Sequence, residues 1–175
     1  MRKTKAIYIG IASLLVVGTA NATTPDWVLP DSKVTPGVLN PAVTQANIKS
    51  NICKPGWTAT IRPTVSYTNK LKNDQLKTTY ASYLKIWGPK PEAYEEDHLI
   101  SLQLGGHPTD PKNLFPQPYA GSNARKKDVV ETKLKRLVCA GTLKLADAQK
   151  MIATDWASAY KKYASKDTAI EDTDN

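Results

Sequence analysis

Apolar positions in the second half of the chain fall into helical stripes, separated by one stretch in which the period changes. Between Thr68 and Trp87, Leu76, Tyr80, Tyr83, Leu84 and Trp87 recur at i, i+4, i+7, i+8 and i+11. That is one helical face, and Gly88-Pro89 is its stop. Aromatic residues at this spacing are read as core before base-stacking platform. From Asn123 or Ala124 to Cys139, Val130, Leu134, Leu137 and Val138 share a second stripe, with Arg125, Lys126, Lys133 and Arg136 largely off it. Ala140-Gly141 ends that helix. A last helix, Leu145 to Tyr163, would bury Ala148, Ile152, Trp156, Ala159 and Tyr163.

Between the first two stripes, Glu95 to Leu102 and Asn113 to Pro116 read as short strands, joined through Leu104-Gly105-Gly106 and Pro108 to Pro111. Gly-Gly allows positive φ and a close backbone approach. Upstream, Thr23 to Pro63 is rich in Pro, Asn and Thr and keeps no period, which predicts an extended arm turning at Pro36-Gly37, Asn40-Pro41 and Pro55-Gly56. Trp27, Val43, Ile48, Ile52 and Trp57 make it too apolar for a free tail, so it is expected to be pinned to the body. The expected organisation is α+β: one domain over 23–165 with its central motif at 94–139, and a polar, acidic tail over 166–175.

The first residues change the picture of where the chain works. Arg2, Lys3 and Lys5 precede an apolar run from Ala6 to about Val17, and Ala20-Asn21-Ala22 supplies small residues for cleavage, so 1–22 reads as a secretory signal. The run is short for a membrane span, the rival being a retained anchor. Cleavage after Ala22 takes Lys+Arg from 24 to 21 against 16 acids, a net charge of +5. The expected product is exported, periplasmic or secreted, free of the membrane, and basic enough for a polyanionic partner. Export also favours a disulfide between the only two cysteines, Cys53 and Cys139, over two buried thiols.

The chemistry concentrates between Tyr94 and Lys127. Asp97-His98 closes an acidic run, Asn113 opens the second strand fifteen residues after His98, and Asn123 stands ten further on at a helix start. The order D-H-L-I-x-L-x-L-G-G, then N-L, then N-x-x-K resembles the HNH endonucleases, whose ββα-metal (His-Me finger) unit binds one divalent metal and cuts phosphodiester bonds. This chain has Asn123 where many relatives carry a second His, and no Cys-x-x-Cys.

The resemblance implies a catalytic pair in which His98 is the general base and Asn113 ties the loop to the backbone near the dyad. It makes Asp97 and Asn123 oxygen ligands of Mg²⁺, or Mn²⁺, with Asp128 and Gln117 as substitutes if Asn123 points away. Arg62, Arg125, Lys126 and Lys127 would meet nucleic acid, while His107 reads as a surface residue. The implied activity is endonucleolytic hydrolysis of nucleic acid, DNA before RNA. No separate base-reading module is visible, so low sequence specificity is expected. The alternative is a non-catalytic exported nucleic-acid-binding protein on the same scaffold.

Overall fold

The computed structural model describes residues 27–164, so the expected signal segment and acidic tail lie outside the described residues. The fold is α+β: α1 (Trp57–Ile61), α2 (Val65–Lys77), α3 (Tyr83–Ile86), β1 (Tyr94–His98), β2 (Leu114–Pro118), α4 (Asn123–Cys139) and α5 (Leu145–Tyr163). The strands pair antiparallel, with Tyr94 opposite Pro118 and His98 opposite Leu114. Pro116 and Pro118 cannot donate to a ladder, and β2 tolerates them because it has only one paired side.

One side of the core lies between α4 and α5, where Val130, Leu134, Val138, Ile152 and Trp156 are buried with Ile48 and Ile52 from the arm. A second cluster joins the hairpin to α2 through Tyr94, Leu99, Phe115, Leu76 and Tyr80. α4 ends at Gly141, whose φ of 78° lets the chain reverse while Gly141 and Thr142 donate to the carbonyls of Val138 and Leu137. Cys53 and Cys139 form a disulfide, which fastens the arm to the end of α4. No helix among the described residues is long and apolar enough to cross a membrane.

Three expectations are corrected. The helix expected over Thr68–Trp87 starts earlier, at Val65, and breaks after Lys77. Thr78 leaves helical geometry at φ −124°, ψ −95°, with its hydroxyl bonded to the Asp74 carbonyl. The break brings Tyr80 into the core, its hydroxyl 2.6 Å from that of Thr35 in the arm. The first strand stops at His98 rather than Leu102, because Asn113 takes over the partner's place: its carbonyl accepts from Leu99 N–H and its side-chain oxygen from Ile100 N–H. The arm is less extended than its composition suggests, holding a 3₁₀ turn at Gln45–Ser50 as well as α1.

Candidate functional site

The site grows from the end of β1. His98 is 6% exposed, and its Nε2 lies 2.9 Å from the Pro108 carbonyl oxygen. A carbonyl can only accept, so Nε2 carries the proton and Nδ1 is left as an acceptor. Burial lowers the His98 pKa, with Asp97 and the Pro108 bond opposing it, so the ring is neutral at neutral pH.

The loop behind the dyad is held by Asn113, fully buried. Its side-chain nitrogen donates to the carbonyls of Ile100 and His107, both at 3.0 Å, and its oxygen accepts from Ile100 N–H. Gly106 is required where this network closes, since a Cβ there would lie 1.7 Å from the Ile100 carbonyl oxygen. The close approach that Gly-Gly allows thus serves the Asn113 clasp. His107 caps the same loop, its Nδ1 accepting from the N–H groups of Thr109 and Asp110.

Two residues are placed differently from expectation. Lys127 is not a surface contact for nucleic acid: it is 0% exposed, and its ammonium donates to Asp97 Oδ2 at 2.7 Å, to the His98 carbonyl at 2.6 Å and to Glu131 Oε1. Burial alone would discharge it, but the two carboxylates outweigh that and raise its pKa. Burial lifts the Glu131 carboxyl in turn, against the pull of Lys127. Asn123 is also 0% exposed, its oxygen accepting from Val28 N–H at 2.8 Å and its nitrogen donating to the Ala120 carbonyl. With Trp156 Nε1 donating to the Val28 carbonyl, Asn123 clamps the arm instead of facing the dyad.

A cavity of about 190 Å³ opens at the dyad. Asp97 and His98 meet there with Asp128 and Glu131 of α4, and α1 and its exit contribute Thr58 and Arg62. The loop that follows the dyad supplies Ser101, Leu102 and Gln103. The Asp128 carboxyl is raised, first by partial desolvation and then by the Asp97 charge, while the Lys127 and Arg62 cations pull it back. Of the expected nucleic-acid contacts, Arg62 alone lines this cavity. Arg125 is exposed on α4, and Lys126 Nζ sits 4.8 Å over the Trp27 ring. Thr58, Ser101 and Glu131 carry no signal in the motif.

The ligand pair Asp97–Asn123 does not fit a metal, because both polar atoms of the Asn123 amide are engaged elsewhere. Gln117, fully buried on β2, is not in the cavity. Asp97 keeps one oxygen not bonded to Lys127, and Asp128 shares its cavity, but no group of three or more His, Cys, Asp or Glu among the described residues is arranged to hold a metal ion. In comparisons with known proteins, no family model, no curated protein and no solved structure matches this chain.

Proposed function

We propose that this chain is an exported endonuclease of the HNH kind, cutting phosphodiester bonds of nucleic acid, DNA rather than RNA, with low sequence specificity and dependence on a divalent cation, Mg²⁺ or Mn²⁺. The observation that carries the reading is His98. Its ring is neutral, its Nε2–H is fixed on the Pro108 carbonyl, and it lines a cavity together with Asp97 and the Arg62 guanidinium.

A neutral imidazole held in one tautomer is suited to take a proton from water. The water oxygen forms a bond to phosphorus, its proton passes to Nδ1, the bond from phosphorus to O3′ breaks, and O3′ takes a proton from solvent. Arg62 suits the negative charge on the non-bridging oxygens, which a planar guanidinium can meet with two parallel N–H bonds. Contacts of this kind read the backbone, not the bases, in keeping with low specificity.

The test is plasmid nicking by the mature chain with Mg²⁺, Mn²⁺ or EDTA, alongside His98→Ala. Cleavage should need the cation, and His98→Ala should bind DNA as before while its rate falls by about 10² to 10⁴. Nicking by His98→Ala at the wild-type rate removes His98 as the base, and undiminished nicking in EDTA removes the cation. The engagement of Asn123 by Val28 favours a second reading, a non-catalytic nucleic-acid-binding protein, whose signature is DNA binding with no nicking under any of these conditions.

A further inference from the structure

Ser101 stands three residues after His98 and precedes the 3₁₀ turn Leu102–Leu104. A serine at the start of a helical turn ordinarily folds its hydroxyl back to accept one of the turn's N–H groups. Here it makes no such bond. The Ser101 carbonyl does that work, accepting from Leu104 N–H at 2.9 Å and Gly106 N–H at 3.0 Å. The residue is 7% exposed, its Oγ is buried with no partner in the protein, and it lines the cavity beside His98. Among the described residues, the other buried side-chain polar atoms without partners belong to Gln75, Glu96 and Gln117, none of which lines that cavity.

Burying an unpaired hydroxyl is costly, and alanine would fill the space without that cost, so a hydroxyl left unpaired at the cavity wall is accounted for by a partner that enters the cavity. What enters is constrained by the other donors. Arg62 and Thr58 lie four residues apart at α1, the spacing that puts side chains on one helical face, and they add a fixed positive charge and a second hydroxyl. A tetrahedral oxyanion suits one cation and two hydroxyl donors, and because Asp97, Asp128 and Glu131 line the same cavity it would also need the divalent cation of the proposed reaction to offset their charge.

We infer that the Ser101 hydroxyl donates to a non-bridging oxygen of the scissile phosphate held by Arg62, which makes Ser101 a substrate-binding residue. This rests on the phosphodiesterase reading of the cavity. The substrate oxygen therefore completes the hydrogen bonding of Ser101.

The experiment compares wild type, Ser101→Ala and Ser101→Thr on short DNA duplexes whose linkages are natural, Rp phosphorothioate or Sp phosphorothioate, with a melting curve for each protein. A hydrogen bond to a charged oxygen predicts about a tenfold or greater loss of kcat/KM for Ser101→Ala on natural DNA. The loss should shrink on the one diastereomer that places sulfur toward Ser101, and Ser101→Thr should regain most of the rate. Ser101→Ala should melt no lower than wild type, since it loses no bond within the protein. Equal rates for wild type and Ser101→Ala, or an equal loss on all three duplexes, would overturn the assignment while leaving the nuclease reading intact. If no protein cleaves any duplex, the nuclease reading fails and inorganic phosphate decides the inference by titration calorimetry. Binding about tenfold weaker to Ser101→Ala than to wild type upholds the oxyanion site, and no difference overturns it.

Discussion

Replacing Lys127 with methionine separates what the buried ammonium does for stability from what it does for the dyad. The change keeps the side chain's length and removes three hydrogen bonds, to Asp97 Oδ2, the His98 carbonyl and Glu131 Oε1. The Glu131 side chain is only 4% exposed, so its carboxylate cannot be rehydrated without moving, while that of Asp97, at 21%, is only partly open to the cavity. Removing one partner of such a buried pair costs about 3–5 kcal/mol, because the uncompensated charge remains. For a domain of this size that lowers the melting temperature by about 10 °C or more. Lys127→Met with Glu131→Leu removes both the cation and its most buried anion, and should recover most of the loss. Lys127 also holds the Asp97 carboxylate and the His98 carbonyl, so the double variant should stay at least tenfold slower in nicking while melting near wild type. Thermal and urea unfolding of the three proteins, with nicking assays on each, make the measurement. A Lys127→Met protein as stable as wild type would refute the ion triad as a structural element, and full activity in the double variant would refute its part in holding the dyad.

Other outcomes follow from single side chains. Glu96 has both carboxyl oxygens buried without partners, and burial, reinforced by Asp97, raises its pKa from 4.5 to about 9. The unfolded chain ionises first, so stability should fall as pH rises from 4.5 and level off near 9. Glu96→Gln should abolish that slope, gaining up to about 3 kcal/mol at pH 7 and nothing near pH 4 in urea unfolding; parallel pH profiles would contradict it. Asn123→Ala should cost about 1–3 kcal/mol by freeing Val28 N–H and the Ala120 carbonyl, yet leave Mn²⁺ affinity unchanged in a titration followed by electron paramagnetic resonance. A weakened Mn²⁺ affinity would return Asn123 to the cation. Reduction of Cys53–Cys139 reopens a span of 86 residues and should lose at most about 4–5 kcal/mol, read as a lower urea midpoint in dithiothreitol.

What was legible in the sequence, and what was not, divides along the range of the interactions. The stripe Val130, Leu134 and Val138 sets α4 by local period, and Gly141 ends it by local backbone geometry. The same stripe read one and two turns back passes through Lys127 and Asn123, both buried. The sequence nevertheless pointed Lys127 to nucleic acid and Asn123 to a metal ion, and Glu131 carried no signal. Their burial is stabilised by Asp97, thirty residues before Lys127, and by Val28, ninety-five before Asn123, and no local pattern carries such partners. The break after Lys77 has the same origin, since Tyr80 leaves the helical stripe to reach Thr35. Ser101 was illegible for a different reason: its sequence position suits a cap, and only the structure shows that its buried hydroxyl makes no cap bond.

The cavity also corrects how much of the chain counts as site. The motif 94–139 supplies the imidazole and carboxylates, but two further lining residues come from upstream of it: Arg62, expected to meet nucleic acid, and Thr58, which carried no signal. Cys53 stands five residues before Thr58 and is bonded to the last residue of α4, the helix that carries Lys127, Asp128 and Glu131. One covalent bond therefore ties the segment bearing Arg62 to the helix bearing the anions, with Ile48 and Ile52 buried in the core that α4 and α5 share. Those packed isoleucines should keep the arm near the body after reduction, so the disulfide's contribution at the site is register more than attachment. The spacing of Arg62 from His98 is then the quantity the arm controls, and in the proposed reaction it would govern whether a phosphate held by the guanidinium lies within reach of the imidazole.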